Sequence, residues 1–176
     1  MKTLIDEILQ NQHILSSPST VGKNEFIIQP GEIERNIYYV EDGALRVFLL
    51  TEFEESTIRF GYRNSFITSL PSFFNGEPSI LYIQAIRKSK LRILEKQRFL
   101  SFIEEKPERK KLYHEFLQAL VIQQMEREID LLTFSPIERL KRVQERSPQL
   151  FQEIPSKYIA SYLRMTPETL SRIRKS

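Results

Sequence analysis

Residues 108 to 133 contain neither glycine nor proline, enough chain for about seven turns of uninterrupted helix. A helix of that length overhangs any small domain, so it divides the chain into an N-terminal and a C-terminal part. Its apolar residues (Leu112, Phe116, Leu117, Leu120, Val121, Ile122, Met125, Ile129 and Leu132) cover more than one stripe. One stripe is expected to pack on the preceding domain. Ile122, Met125, Ile129 and Leu132, at heptad-like spacing, suit a seam with a second copy of the chain. A single buried core helix is the other reading of that pattern.

The part before the long helix reads as β. After a short amphipathic helix (Leu4, Ile5, Ile8, Leu9), apolar and alternating segments run from residue 20 to residue 95. Glu25 to Ile28 is followed by Pro30-Gly31, a turn signal. Ile37 to Val40 is followed by Asp42-Gly43, a hairpin dipeptide, and by Ala44 to Leu50. Ser56 to Phe60, Ile80 to Ile86 and Lys90 to Leu94 are further predicted strands. Short strands at this spacing indicate a sandwich or barrel. From Lys96 the period turns helical, and Phe99, Phe102 and Ile103 mark a short helix ending near Pro107.

Beyond the long helix, Thr133-Phe134-Ser135 is the expected joint, and Ser135-Pro136-Ile137-Glu138 starts a new helix with a capping box. That helix turns Leu140 and Val143 inward and stops near Ser147-Pro148. Residues 136–176 hold nine Lys or Arg and four acids, against 17 basic and 19 acidic residues in the rest. A basic tail on a mildly acidic body suits a polyanion partner, although a solvated basic helix has the same composition.

Ile154 to Arg174 carries the pattern of two short helices crossing over a tight turn. Ala160 is small where the helices cross, Ile159 and Leu163 face Leu170 and Ile173, and Met165 plugs the turn. Thr166 caps the second helix, with Pro167 at its first position. This leaves Pro167, Glu168, Thr169, Ser171, Arg172 and Lys175 outward, as a recognition helix in a major groove requires. Glu168 and Arg172 lie one turn apart, and such a pair can read cytosine and guanine edges. An exposed intrahelical ion pair is the plainer alternative. Lys157, Tyr158, Arg174 and Lys175 are candidate phosphate contacts. The turn position that favours glycine is Arg164, at a cost of about 1 kcal/mol.

Several function classes are excluded or disfavoured. The chain has no cysteine, hence no disulfide, thiolate metal site, iron–sulfur cluster or cysteine nucleophile. His13 and His114 are about a hundred positions apart and no histidine lies in the β region, so no metal site and no cupin-like enzyme is expected. No apolar run approaches the roughly 18 residues of a membrane span, and the acidic N-terminus lacks the apolar core of a secretion signal. A cytoplasmic protein without enzymatic activity is therefore expected.

In the order of its parts, and in Pro30-Gly31, Tyr38 to Val47 and Thr166 to Arg172, the chain resembles the cyclic-AMP receptor protein and FNR (Crp/Fnr) family of bacterial regulators. The resemblance implies an α+β chain in three parts. A double-stranded β-helix (jelly roll) of the cyclic-nucleotide-binding kind spans 1–107, a dimerisation helix 108–134, and a DNA-binding helix-turn-helix 135–176. It implies a homodimer on a palindromic DNA operator, with RNA polymerase as a further candidate partner. Glu168 and Arg172 match the family's base-reading glutamate and second arginine, while its first arginine falls at Pro167. The family's hairpin after the second helix has no counterpart before Ser176.

The family's phosphate-binding glutamate and arginine fall at Ser69 and Ser79. Tight binding of cyclic AMP is therefore not expected, since a buried phosphate would lack its cation. Phe66, Ser69, Phe73, Phe74, Ser79 and Tyr82 could line a pocket for another effector or simply fill the core. The leading reading is a sequence-specific transcriptional regulator with a degenerate sensor. The alternative is a ligand-sensing jelly roll that signals through protein contacts.

Overall fold

The structure, a computed structural model, describes residues 2–175, so Met1 and Ser176 lie outside it, and with Ser176 the expected lack of a following hairpin. Helix α1 (Leu4–Gln10) opens the chain behind a capping box in which Thr3 and Asp6 satisfy each other's backbone amides. Eight strands follow: β1 (Ser19–Val21), β2 (Phe26–Ile28), β3 (Asn36–Asp42), β4 (Ala44–Leu50), β5 (Glu55–Tyr62), β6 (Phe66–Ile67), β7 (Tyr82–Ala85) and β8 (Ser89–Glu95). They form two four-stranded antiparallel sheets, ordered β1-β8-β3-β6 and β2-β7-β4-β5. Ile28, Val40, Leu45, Val47, Ile83 and Leu91 fill the space between them. The strand pattern predicted a sandwich or barrel, and the two packed sheets form the jelly roll that the family resemblance implied.

Two local readings need correction. Asp42-Gly43 closes no hairpin: β3 pairs with β8 and β6, β4 with β5 and β7, so the chain changes sheets at Gly43. Gly43 has φ +103, and a Cβ there would lie 2.5 Å from the Ser89 Cα, so backbone packing as well as conformation demands glycine. The hairpin of this region is β4–β5, closed over Thr51–Glu54. In addition, the segment before β7 contains an unexpected helix α2 (Leu70–Asn75), ended by Gly76 at φ +76.

Helices α3 (Lys96–Glu104) and α4 (Pro107–Leu132) come next, then α5 (Pro136–Arg146), α6 (Leu150–Glu153), α7 (Ser156–Tyr162) and α8 (Pro167–Lys175). Ser135 caps α5 by accepting from the Glu138 N–H, but only that half of the expected capping box forms. Among the described residues no helix is long and apolar enough to cross a membrane, and no group of three or more ligating side chains could hold a metal ion.

The first turns of α4 pack Leu112, Tyr113 and Phe116 against a core of Leu4, Ile8, Phe73, Phe99 and Phe102. Its remaining length reverses the usual pattern. The buried residues of α4 are Arg109, Arg127 and Asp130, whereas Ile122 is 64% and Leu132 78% exposed, with Val121, Met125 and Ile129 exposed beside them.

Glu34, in the loop before β3, is 1% exposed. Its Oε1 accepts from the Asn36 N–H at 2.9 Å and the Tyr38 hydroxyl at 3.2 Å, while Oε2 has no partner among the described residues. Burial raises its carboxyl to about 6 from an ordinary 4.5, against the pull of those two donors. A carboxyl whose pKa is higher folded than unfolded binds protons more tightly when folded, so its ionisation costs stability as pH rises from 4.5 through 6. We expect Glu34→Gln to be more stable than the parent at pH 8 by up to about 2 kcal/mol. That gain should vanish below pH 4.5 in urea unfolding curves. A gain independent of pH would show that the charge is not its cause.

Candidate nucleic-acid interface

The C-terminal helices are assembled on one apolar cluster. Leu140 and Val143 of α5, Leu150, Ile154, Ile159, Ala160, Leu163 and Leu170 are all buried in it, joined by Ala44 and Ile86 of the jelly roll. Ala160 has no exposed surface at the crossing of α7 and α8, and its carbonyl accepts from the Met165 N–H at 3.0 Å. Arg164 takes φ +55, the left-handed conformation expected of that turn position. The Thr166 hydroxyl accepts from the Thr169 N–H at 3.2 Å and caps α8.

With Leu170 and Ile173 turned into the cluster, Pro167, Glu168, Ser171, Arg172 and Lys175 line one open depression on the outer side of α8. Thr169 is half-buried beside the cap. The other expected contacts divide. Lys157 is exposed, its ammonium 4.5 Å from the centre of the Tyr158 ring. Arg174 donates to the Ser156 Oγ at 3.0 Å and lies over Phe151. Tyr158, expected as a phosphate contact, is buried instead: its ring packs in the helical cluster with the Arg46 guanidinium 4.7 Å from its centre. An aromatic ring in a mostly polar segment is worth more inside than out.

The basic tail is also less available than its composition suggests. Arg142 and Arg146 both reach the fully buried Asp130, Arg142 at 3.0 Å, and Arg142 also contacts Glu126 at 2.8 Å. Arg139 donates to the carbonyls of Leu163 at 2.6 Å and Thr133 at 3.2 Å, tying α5 to the turn. Arg164 contacts Glu54 and the Ser56 Oγ, each at 2.5 Å. Arg139, Arg142, Arg146 and Arg164 thus bind carbonyls, carboxylates or hydroxyls of the protein itself, so the composition of the tail overstates the basic side chains available around the two crossed helices.

Groups that sequence reasoning missed join this unit to the jelly roll. Arg46 of β4 stacks between Phe48, 3.9 Å from its ring centre, and Tyr158, bonds the Gln84 Oε1, and pairs with Glu55 at 2.6 Å. Ser161 bonds the backbone of β5. Arg127 of α4 lies 3.7 Å from the Tyr162 ring centre and donates to the Tyr162 carbonyl; burial holds its guanidinium below the usual arginine range. No local sequence signal marks the contacts that join the two parts, because Arg46 and Tyr158, Ser161 and β5, and Arg127 and Tyr162 lie far apart along the chain.

The six candidate effector residues do not converge. Phe73 sits in the core beneath α1 and α3, with Phe66 packed at its margin. Tyr82 stacks on Phe48 at 4.9 Å on the other sheet, and Phe74 is 49% exposed. Ser69 and Ser79 are buried and hydrogen-bond each other at 2.9 Å. Phe73, Ser69 and Ser79 are thus packed inside the fold, whereas Phe74 lies at the surface.

The cyclic nucleotide-binding domain matches residues 18–106. No curated protein sequence matches the chain. Among solved structures, a mutant of CooA from Carboxydothermus hydrogenoformans superposes with a TM-score of 0.71 at 15% identity, over 99% of this chain and 83% of that one. FixK2 from Bradyrhizobium japonicum gives 0.71 at 18% identity, over 91% and 83%. CLP of Xanthomonas campestris, described as a c-di-GMP responsive global regulator that links cell-cell signalling to virulence gene expression, gives 0.67 at 12%, over 96% and 89%. The likeness covers nearly the whole chain, helices as well as strands, so the fold is the one shared with these solved structures.

Proposed function

We propose that the chain, which belongs to the cyclic nucleotide-binding domain family, is a homodimeric, sequence-specific DNA-binding transcriptional regulator. One observation carries the reading: α8 buries Leu170 in the cluster under α7, packs Ile173 against it, and keeps Pro167, Glu168, Ser171, Arg172 and Lys175 together on one exposed face. A helix held from behind, with polar side chains along its front and N-terminus, has the form of a recognition helix for the major groove. Glu168 and Arg172 are its base-reading pair, and Thr166, Thr169, Lys157, Arg174 and Lys175 its positioning contacts. The division is a jelly roll over 1–107, a dimer helix over 108–134 and a helix-turn-helix over 135–176. DNA and a second copy are the partners, with RNA polymerase a further one.

The dimer reading comes from the reversed pattern of α4. Ile122, Met125, Ile129 and Leu132 repeat at heptad-like spacing on its exposed side, and an apolar stripe of this length calls for a partner surface. The sensor is degenerate for cyclic nucleotides, because the two family positions that would hold the phosphate are serines bonded to one another. In the alternative reading the jelly roll signals through protein contacts; specific, salt-dependent binding to one DNA sequence separates the two.

Three outcomes test this proposal. In-vitro selection should enrich a palindrome with the parent protein, and Glu168→Ala should lose base preference at one position per half-site, worth about 1–3 kcal/mol. An unchanged preference would remove Glu168 from the reading pair. Met125→Glu combined with Ile129→Glu should convert a dimer to a monomer in sedimentation, and a dimeric mass for that variant would place the seam elsewhere. Calorimetry with cyclic AMP should show no binding in the low-micromolar range, and a saturable low-micromolar isotherm would contradict the degenerate sensor.

A further inference from the structure

Strand β5 is the outer strand of its sheet, so the backbone groups on its far side have no strand to pair with. Helix α7 supplies the partner through one side chain. The Ser161 hydroxyl donates to the Glu55 carbonyl at 2.9 Å, accepts from the Thr57 N–H at 3.1 Å, and lies 3.1 Å from the Thr57 Oγ1. One donor and two acceptor sites are all that a serine hydroxyl has. Thr57 is 2% exposed, so water cannot replace Ser161 there at no cost.

Helix α4 reaches the same residue along the same open edge. Arg127 donates to the Thr57 carbonyl at 3.5 Å and to the Tyr162 carbonyl at the end of α7. Arg164, in the turn before α8, extends the tie to Glu54 and Ser56 on the same ribbon. At Thr57, therefore, β5, the first of the two crossed helices and the long helix meet through hydrogen bonds. The ribbon touches α7 and the turn, and the face of α8 remains open, so the contact holds the reading helix without covering it.

From this we infer that the Thr57 junction is a spacing gauge: Ser161 and Arg127 are positioning residues that fix α8 relative to α4, and thereby the one separation of half-sites that a dimer accepts. The inference rests on the DNA-reading role of α8 and the dimer seam of α4 proposed above. In a two-fold dimer the distance between the two reading helices is set by how each is attached to the shared axis. Half-site spacing is a geometric property of that attachment, whereas base preference belongs to the side chains on α8. Neither Ser161 nor Arg127 lies on the reading face, so the two properties separate by mutation.

The experiment uses the full chain and the half-site enriched by the parent protein, duplicated as a palindrome in a series of duplexes whose spacers differ by single base pairs. The parent should bind one spacer best. Ser161→Ala combined with Arg127→Met should bind neighbouring spacers nearly as well, the ratio of best to next-best spacer falling about tenfold, as expected for loss of one or two hydrogen bonds. Base preference within each half-site should be unchanged. Ser161→Thr, which keeps the hydroxyl, should keep the parent's discrimination. If the double variant loses its helical circular dichroism, Ser161→Ala alone is read in the same series, with a change in the same direction expected. A spacer ratio equal to the parent's, in a folded variant, overturns the gauge. A changed base preference also overturns it, by placing the junction in the reading itself. Failure of the parent to enrich any DNA overturns the regulator reading, and this inference with it.

Discussion

Asp130 has no contact with solvent, and an isolated carboxylate in that position would cost several kcal/mol. Two arginines of α5, Arg142 and Arg146, make the site tenable by reaching it from the next helix. The placement of everything after residue 132 depends on that arrangement. With Asp130 and Arg127 inward, the same helix must turn its apolar side chains out, which creates the stripe that a second copy would cover. With Arg142 and Arg146 drawn down to Asp130, α5 lies against the end of α4 and leads the chain back over the sheet edge rather than away from it. Removing Asp130 would leave Arg142 and Arg146 sharing Glu126 alone, so this ion cluster specifies direction more than it adds stability.

A second constraint is the edge of the sheet itself. An unpaired outer strand is a hazard that proteins manage by covering or blunting it. Here the C-terminal helices do so, through Ser161 and through the stack of Tyr158 on Arg46. The cover also joins the two parts of the chain: β4 and β5 bond directly to α7, the first of the two crossed helices.

Much of this was legible in the sequence wherever the cause is local. Ser135 before Pro136, and Thr166 before Pro167, marked two helix starts because a cap and a fixed φ act within one turn. Arg164 was placed at positive φ because the crossing of two helices over a short turn leaves little other choice. The jelly-roll class came from strand spacing and the family resemblance. The failures share one cause. Asp42-Gly43 carries a hairpin signal, but the pairing of β3 and β4 is decided by β8 and β7, some forty residues on. The basic tail looked available because composition does not show that Asp130 and Glu126 lie opposite it. Tyr158 looked like a surface tyrosine because its partner, Arg46, stands on a strand more than a hundred positions earlier.

The bond between Ser69 and Ser79 has a consequence for any molecule that would enter the sensor. Both hydroxyls belong to one folded chain, so each meets the other at a high effective concentration that dilution cannot lower. A ligand offering only hydroxyl oxygens would exchange one satisfied hydrogen bond for another and gain little, and a phosphate would find no cation at either serine. Selection among effectors would then fall to shape and apolar contact, and the jelly roll would discriminate by what a molecule displaces rather than by the charge it carries.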